Sequence, residues 1–229
     1  MPERHIIGLG GGGRTTSEQA LLDDYVLSFA RGKKALYLPT AVGDRADAIV
    51  AFHDRLGGRL QCSHLRLFPW PPENLREFVL GQDIVFVSGG NTANLLALWR
   101  VHGLDKILRE AWEAGIVLTG GSAGMICWFE AGVTDSFGPQ LEGMRDGLGF
   151  LPGSACPHYD GEARRRPTYR RLVTEGGFPP GIAADDGVAL HYTGTALTEA
   201  VSCRDGASAY AMDRAGERPV PTRWLGPSS

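Results

Sequence analysis

The chain is poor in cysteine and has no cysteine pattern. Its four thiols, Cys62, Cys127, Cys156 and Cys203, are far apart in 229 residues and none belongs to a Cys-x-x-Cys pair. That spacing argues against a zinc site or a disulfide framework and suits a reduced, cytoplasmic protein. Long apolar runs are also missing, and none approaches the roughly 18 residues of a membrane-spanning helix. The opening Met1-Pro2-Glu3-Arg4-His5 leads straight into a strand-like run, without the pattern of a signal peptide. Positive charge is not in excess: Lys and Arg number 23 against 26 Asp and Glu, for a net charge of −3. A general nucleic-acid binder wants a basic face, so neither nucleic acid nor membrane is an expected partner. No internal repeat and no low-complexity linker interrupts the chain.

What the chain has in plenty is glycine, 32 residues, much of it directly after apolar β-rich runs. Residues 5–9, 34–39, 65–68, 83–88 and 116–119 read as strands. Helical spacing intervenes over about 18–30, 46–56 with Asp44 as a cap, 73–80, a segment after Thr92, and 104–114. Strict alternation of this kind predicts an α/β protein with a doubly wound, mostly parallel sheet and helices on both faces. Residues 131–162 carry little periodicity, and 163–175 read as a basic helix. Val188–Tyr192, Ala196–Cys203 and Ala209–Asp213 read as strands of an antiparallel C-terminal extension of the same sheet. The tail from Pro219 to Ser229 reads as frayed. The expectation is a single domain over 1–229.

Three glycine-rich turns could carry chemistry. Gly120-Gly121-Ser122-Ala123-Gly124 joins an apolar strand to an apolar helix in the pattern Gly-x-Ser-x-Gly. That pattern suits a serine nucleophile on a sharp strand-to-helix turn, and equally an ordinary helix N-cap. Gly89-Gly90-Asn91-Thr92 closes another strand. Ligands of parallel sheets bind outside the carboxyl ends of strands, so the Gly90 and Ala123 N–H groups could form a two-donor oxyanion hole, or Asn91 or Thr92 could simply cap a helix. Gly8-x-Gly10-x-x-Gly13 fits the dinucleotide fingerprint on paper, but no acid closes the second strand at Leu38-Pro39-Thr40-Ala41. A nucleophilic serine needs a base and an orienting acid. Of six histidines, His158 follows Pro157 at a loop position, where catalytic groups commonly sit. His191 lies within a strand and reads as structural.

Taken together, Gly89-Gly90-Asn91-Thr92, Gly120-Gly121-Ser122-Ala123-Gly124, Thr134-Asp135-Ser136-Phe137-Gly138, Pro157-His158-Tyr159-Asp160 and Asp185-Asp186-Gly187 resemble the serine peptidase family of peptidase E and cyanophycinase, over about residues 5–213. The resemblance implies a class I glutamine-amidotransferase-like α/β fold, with Ser122 as nucleophile, His158 as general base, and Gly90 and Ala123 as oxyanion donors. For the third member it offers three acids. Asp135 matches the acid of peptidase E in position and ranks first, Asp186 matches the cyanophycinase-like members and ranks second, and Glu162, four residues after His158, ranks third. The implied activity is hydrolysis of short peptides by acyl transfer, with a possible preference for N-terminal aspartate. Recognising an aspartyl side chain needs a cation, best an arginine, and Arg164, Arg165, Arg166, Arg170 and Arg171 follow His158 closely. No metal or organic cofactor is implied. The expected partner is a small peptide, and the expected state a monomer or homodimer. The alternatives are another small-amide or ester hydrolase, a Rossmann-type nucleotide-binding protein, and a family member that binds without turnover. An α/β-hydrolase fits less well, because its histidine usually lies further from the serine than the 36 residues seen here (158 − 122 = 36).

Overall fold

A strand covered on both faces has to be apolar at every position, because successive side chains point to opposite sides. Ile6 and Ile7 show this at the first strand: both are fully buried, in separate hydrophobic clusters. The structure, a computed structural model, describes residues 2–226. The first half alternates β1 (His5–Leu9), α1 (Thr16–Leu27), β2 (Lys34–Leu38), α2 (Ala46–Leu56), β3 (Gln61–His64), α3 (Leu75–Leu80), β4 (Ile84–Val87), α4 (Thr92–Val101), α5 (Leu104–Glu113), β5 (Val117–Gly121) and a short α6 (Ala123–Ile126). There follow β6 (Ala131–Thr134), β7 (Glu142–Met144), β8 (Ser154–Cys156), α7 (Arg165–Thr174), β9 (Gly181–Ala184), β10 (Val188–Thr193), β11 (Ala196–Ser202), β12 (Ala209–Asp213), β13 (Gly216–Val220) and β14 (Thr222–Trp224).

The main sheet runs β14-β11-β10-β1-β5-β4-β2-β3. Its β1, β5, β4, β2 and β3 are mutually parallel, while β10 runs antiparallel beside β1, and β11 antiparallel beside β10. Leu22 and Val26 of α1 and Phe52 and Leu56 of α2 cover one face. Leu95 and Trp99 of α4, Leu108 and Trp112 of α5 and Met125 of α6 cover the other. Helix α1 opens with a capping box: Thr15 Oγ1 accepts from Glu18 N–H, and the Glu18 carboxylate accepts from Thr15 N–H.

The second sheet, β13-β12-β9-β8-β6-β7, is where the structure departs from the sequence reading. Ala209–Asp213 pairs with β9 and β13 instead of extending the main sheet. The aperiodic stretch 131–162 supplies three of its strands. They are three or four residues long, too short for a period to register. The tail is also structured: β13 occupies the second sheet and β14 the edge of the first, and residues 227–229 lie outside the described residues. Ala155, Ile182 and Ala184 of this sheet join the cluster that contains α4 and α5.

The third strand is Gln61–His64, not Leu65–Phe68. As an edge strand paired only with β2 it needs little burial, so its polar sequence carries no apolar signal. Leu65 and Leu67 are buried in irregular chain instead. Asp44 does not cap α2. Its Oδ2 accepts from the N–H groups of Leu67 and Phe68, at 2.7 and 3.1 Å, and holds that irregular segment.

Candidate active site

The strand-to-helix turn after β5 is strained at its centre. Ser122 has φ 56° and ψ −115°, a region that costs a non-glycine residue on the order of 1–3 kcal/mol and persists only where its surroundings impose it. The surroundings are close-packed. A methyl group on Gly120 would lie 2.6 Å from Val87 O, and one on Gly124 2.5 Å from the same atom, so the turn presses against the end of β4. Ser122 C=O accepts from Met125 and Ile126 N–H at 2.9 and 3.0 Å and starts α6. Its hydroxyl makes no capping bond. The serine therefore occupies an N-cap position without doing an N-cap's work, and its Oγ has no hydrogen-bond partner among the described residues.

The exit of β1 gathers three distant parts of the chain on three successive carbonyls. Leu9 O accepts from Ser122 N–H at 3.2 Å, Gly10 O from His158 N–H at 2.8 Å, and Gly11 O from Gly187 N–H at 3.2 Å. This brings Ser122, His158 and the Asp186–Gly187 turn to one point. His158 also has a left-handed backbone, φ 53°. Its Nδ1 lies 2.6 Å from Asp186 Oδ1, with both side chains about one quarter exposed. A carboxylate only accepts, so the ring donates from Nδ1, and in the neutral imidazole with that tautomer the lone pair is on Nε2.

The three candidate acids lie in different surroundings. Asp135, ranked first from position, is exposed and its carboxylate bonds to nothing among the described residues. Its turn packs elsewhere: Ser136 O accepts from Asn91 Nδ2 at 2.9 Å and Ser136 Oγ from Ala93 N–H at 3.2 Å, which fastens the loop to the start of α4. Glu162 is committed to the buried Arg165, with Oε2 2.8 Å from its Nε. Burial pushes the Glu162 carboxyl up, but the Arg165 hydrogen bond and charge outweigh it and hold the group below its ordinary range. Of the three candidates, Asp186 alone sits on the His158 ring.

Gly90, at φ 127°, is at a position where glycine is required: a methyl group there would lie 2.7 Å from the carbonyl carbon of Ala41. A methyl on neighbouring Gly89 would touch Ser122 Cβ at 3.3 Å, so this turn lies directly beside the serine. Neither the Gly90 nor the Ala123 N–H has an acceptor among the described residues.

The residues that sequence reasoning missed are Gly10 and Gly11. A methyl on Gly10 would meet Ala184 O at 2.6 Å; one on Gly11 would meet Asp186 Cγ at 2.9 Å and His158 Nδ1 at 3.0 Å. These glycines let the imidazole and carboxylate lie against the β1 exit. The signal was present, as the glycine run itself, but the dinucleotide fingerprint offered another use for it.

The arginine run is mostly engaged. Arg165 is buried and also donates to Val133 O at 2.7 Å, Arg166 pairs with Glu217, and Arg171 lies 3.6 Å from Glu175. Arg164 donates to Pro139 O and lines a cavity of about 220 Å³ with Asp135, Leu141 and Glu162. His191 is buried between His5 and Tyr25 on the far end of β10. Among the described residues no three His, Cys, Asp or Glu side chains form a metal-ligating group, and no helix is long and apolar enough to cross a membrane.

Known proteins resemble this chain in sequence and in fold. The chain is 47% identical to the uncharacterized peptidase YgaJ of Bacillus subtilis (strain 168), over 97% of this chain and all of that protein. It is 29% identical to peptidase E of Shewanella denitrificans over 55% of this chain and 57% of that one. Among solved structures, a peptidase from an acI-B1 Actinobacterium superposes with a TM-score of 0.68 at 18% identity, covering 96% of this chain and 95% of that one. A putative peptidase E protein from Listeria monocytogenes EGD-e gives 0.62 at 21% identity, covering 85% and 96%. These two likenesses concern the fold. The family model of Peptidase family S51 matches residues 6–200, and with that match and the close full-length relative, the chain belongs to peptidase family S51.

Proposed function

We propose that the chain is a serine peptidase acting on short peptides by acyl transfer, with Ser122 as nucleophile, His158 as general base and Asp186 as the orienting acid. The observation that carries this reading is the 2.6 Å contact between His158 Nδ1 and Asp186 Oδ1, on a histidine anchored one carbonyl along from the strained serine. Asp186 fixes the tautomer with the lone pair on Nε2 and would stabilise the imidazolium as it forms. His158 Nε2 takes the Ser122 proton while Oγ attacks the scissile carbonyl carbon. The N–H groups of Gly90 and Ala123, which have no acceptor among the described residues, receive the developing oxyanion. His158 then returns the proton to the leaving amine, and water attacks the acyl-enzyme by the same route. The serine–histidine hydrogen bond forms in the substrate complex, as catalytic contacts often tighten only there.

An N-terminal aspartate is not required in this reading. Of the arginines that follow His158, Arg164 lines a cavity, and there it shares the space with the carboxylate of Asp135, unpaired among the described residues, so it is no dedicated cation for an aspartyl side chain. The test is twofold. A serine-directed phosphonylating reagent should label Ser122 alone, and Ser122→Ala should abolish hydrolysis of a dipeptide panel while the protein still melts cooperatively. Labelling at another serine, or turnover by Ser122→Ala, would refute the mechanism. Hydrolysis confined to peptides with N-terminal aspartate would refute the substrate reading alone.

A further inference from the structure

The motif Pro157-His158-Tyr159-Asp160 contains an acid that the triad does not use. Asp160 lies two residues beyond His158, and its carboxylate turns toward Asp186. Its Oδ1 accepts from the Asp186 backbone N–H at 2.8 Å. Its Oδ2 accepts from Arg204 Nη1 at 3.0 Å, and the same Nη1 donates to Asp186 C=O at 2.6 Å. Both polar groups of Asp186's own backbone are thus held by one ion pair. One member comes from the His158 loop and the other from the segment after β11.

We propose that Asp160 and Arg204 form a clamp that positions Asp186 against His158, a role that rests on the triad assigned above.

Three features single the clamp out from an ordinary surface pair. First, Arg204 is largely covered, with 14% of its side chain exposed against 31% for the more open Asp160, so the pair is less screened than one between two fully solvated side chains. Second, the chain is shaped around it. A side chain on Gly187 would lie 2.8 Å from Arg204 Cδ, and Gly187 has φ 80°, so this turn both needs glycine and lets the arginine stem pass beneath it. Ser202 Oγ in turn donates to Arg204 C=O at 2.7 Å and accepts from Arg204 N–H at 3.0 Å, fixing the arginine's backbone. Third, among the described residues the Asp186 carboxylate accepts no hydrogen bond besides the one from His158, and glycines wall it in. A methyl on Gly161 would lie 3.1 Å from its Cγ and one on Gly11 2.9 Å from it. Those walls limit where the carboxylate can go but do not aim it, and the clamp supplies the aim through the backbone. Arg204 also offsets a repulsion the design creates, since Asp160 would otherwise bring a second negative charge beside Asp186.

Asp160 and Arg204 are positioning residues, so removing either should lower kcat and leave KM unchanged. On a dipeptide substrate, Asp160→Ala and Arg204→Ala should each reduce kcat by about 10- to 100-fold, in line with the sensitivity of catalysis to misplacements near 1 Å. Asp160→Asn keeps an acceptor for Asp186 N–H and should lose less. The decisive measurement repeats both alanine variants in an Asp186→Asn background. If the clamp acts through Asp186, the further loss there should be under about threefold, because coupled residues are not additive. Full additivity in that background overturns the proposal, as does wild-type kcat in the single variants alongside a lowered melting temperature, which would leave the pair a structural role only. Wild-type turnover by Asp186→Asn alone overturns the triad and the clamp together, whereas collapse of Asp186→Asn with unaffected Asp160→Ala and Arg204→Ala overturns the clamp alone.

Discussion

Gly11→Ala tests the site where the structure is most specific. Gly11 has no left-handed backbone to strain, so alanine is acceptable to the main chain and the effect reduces to one methyl group. That methyl would lie 2.9 Å from Asp186 Cγ and 3.0 Å from His158 Nδ1, where ordinary contact begins at 3.4 Å. The carboxylate carbon must therefore retreat by about 0.5 Å (3.4 − 2.9) and the ring nitrogen by about 0.4 Å (3.4 − 3.0), with the nearer Oδ1 moving further. The 2.6 Å hydrogen bond between them spans this point and cannot keep its length and aim through such a shift. A misplacement near 1 Å costs about a hundredfold in rate, and complete loss of the orienting acid in a serine triad about ten-thousandfold. The expected fall in kcat lies between these limits, with KM little changed. Gly12→Ala is the control, because the methyl there would meet only the side-chain oxygen of Gln19, at 3.0 Å, and neither His158 nor Asp186. Both variants would be assayed on one dipeptide, with thermal melts to confirm folding at the assay temperature. If Gly11→Ala keeps kcat within threefold of wild type, or if Gly12→Ala loses as much, the close-packed cradle is not what aligns His158 and Asp186.

Two further outcomes follow from the same geometry. Asp186→Asn should lower kcat by at least a hundredfold, whereas Asp135→Asn and Glu162→Gln should stay within a few-fold; collapse of Asp135→Asn with intact Asp186→Asn would restore the ranking that position alone suggested. The second concerns stability. Burial between His5 and Tyr25 lowers the His191 imidazole from 6.5 to about 4. Between those values the unfolded chain takes up a proton that the folded protein refuses. Stability is therefore complete above about pH 6.5 and declines as the pH falls toward 4, by up to about 3 kcal/mol. Urea unfolding at pH 7, 5.5 and 4.5 should show this decline, flattened in His191→Gln; an equal slope in the variant would assign it to other groups.

The residues themselves determine a good deal here. Apolar runs such as Ile84-Val85-Phe86-Val87 announce strands covered on both faces. Gly-x-Ser-x-Gly between a strand and a helix marks a sharp turn that suits a serine nucleophile or an N-cap, and the backbone strain at Ser122 came only with the structure. Both signals are local, written within a few residues, and so are readable without coordinates. Strand β3 escaped because an edge strand has one neighbour and little to bury, so Gln61–His64 carries no apolar mark, while Leu65 and Leu67 are apolar for the sake of an irregular segment that Asp44 holds. The second sheet escaped because its strands in 131–156 are too short to express a period. The choice among Asp135, Glu162 and Asp186 was beyond any local reading. It depends on β10 running antiparallel beside β1, which carries the Asp185–Gly187 turn to the exit of β1, where Gly11 O receives Gly187 N–H and Gly10 O receives His158 N–H. Distance along the chain says nothing about that meeting, because hydrogen bonds between loops 28 residues apart (186 − 158 = 28) are set by strand order. Strand order belongs to the packed sheet as a whole.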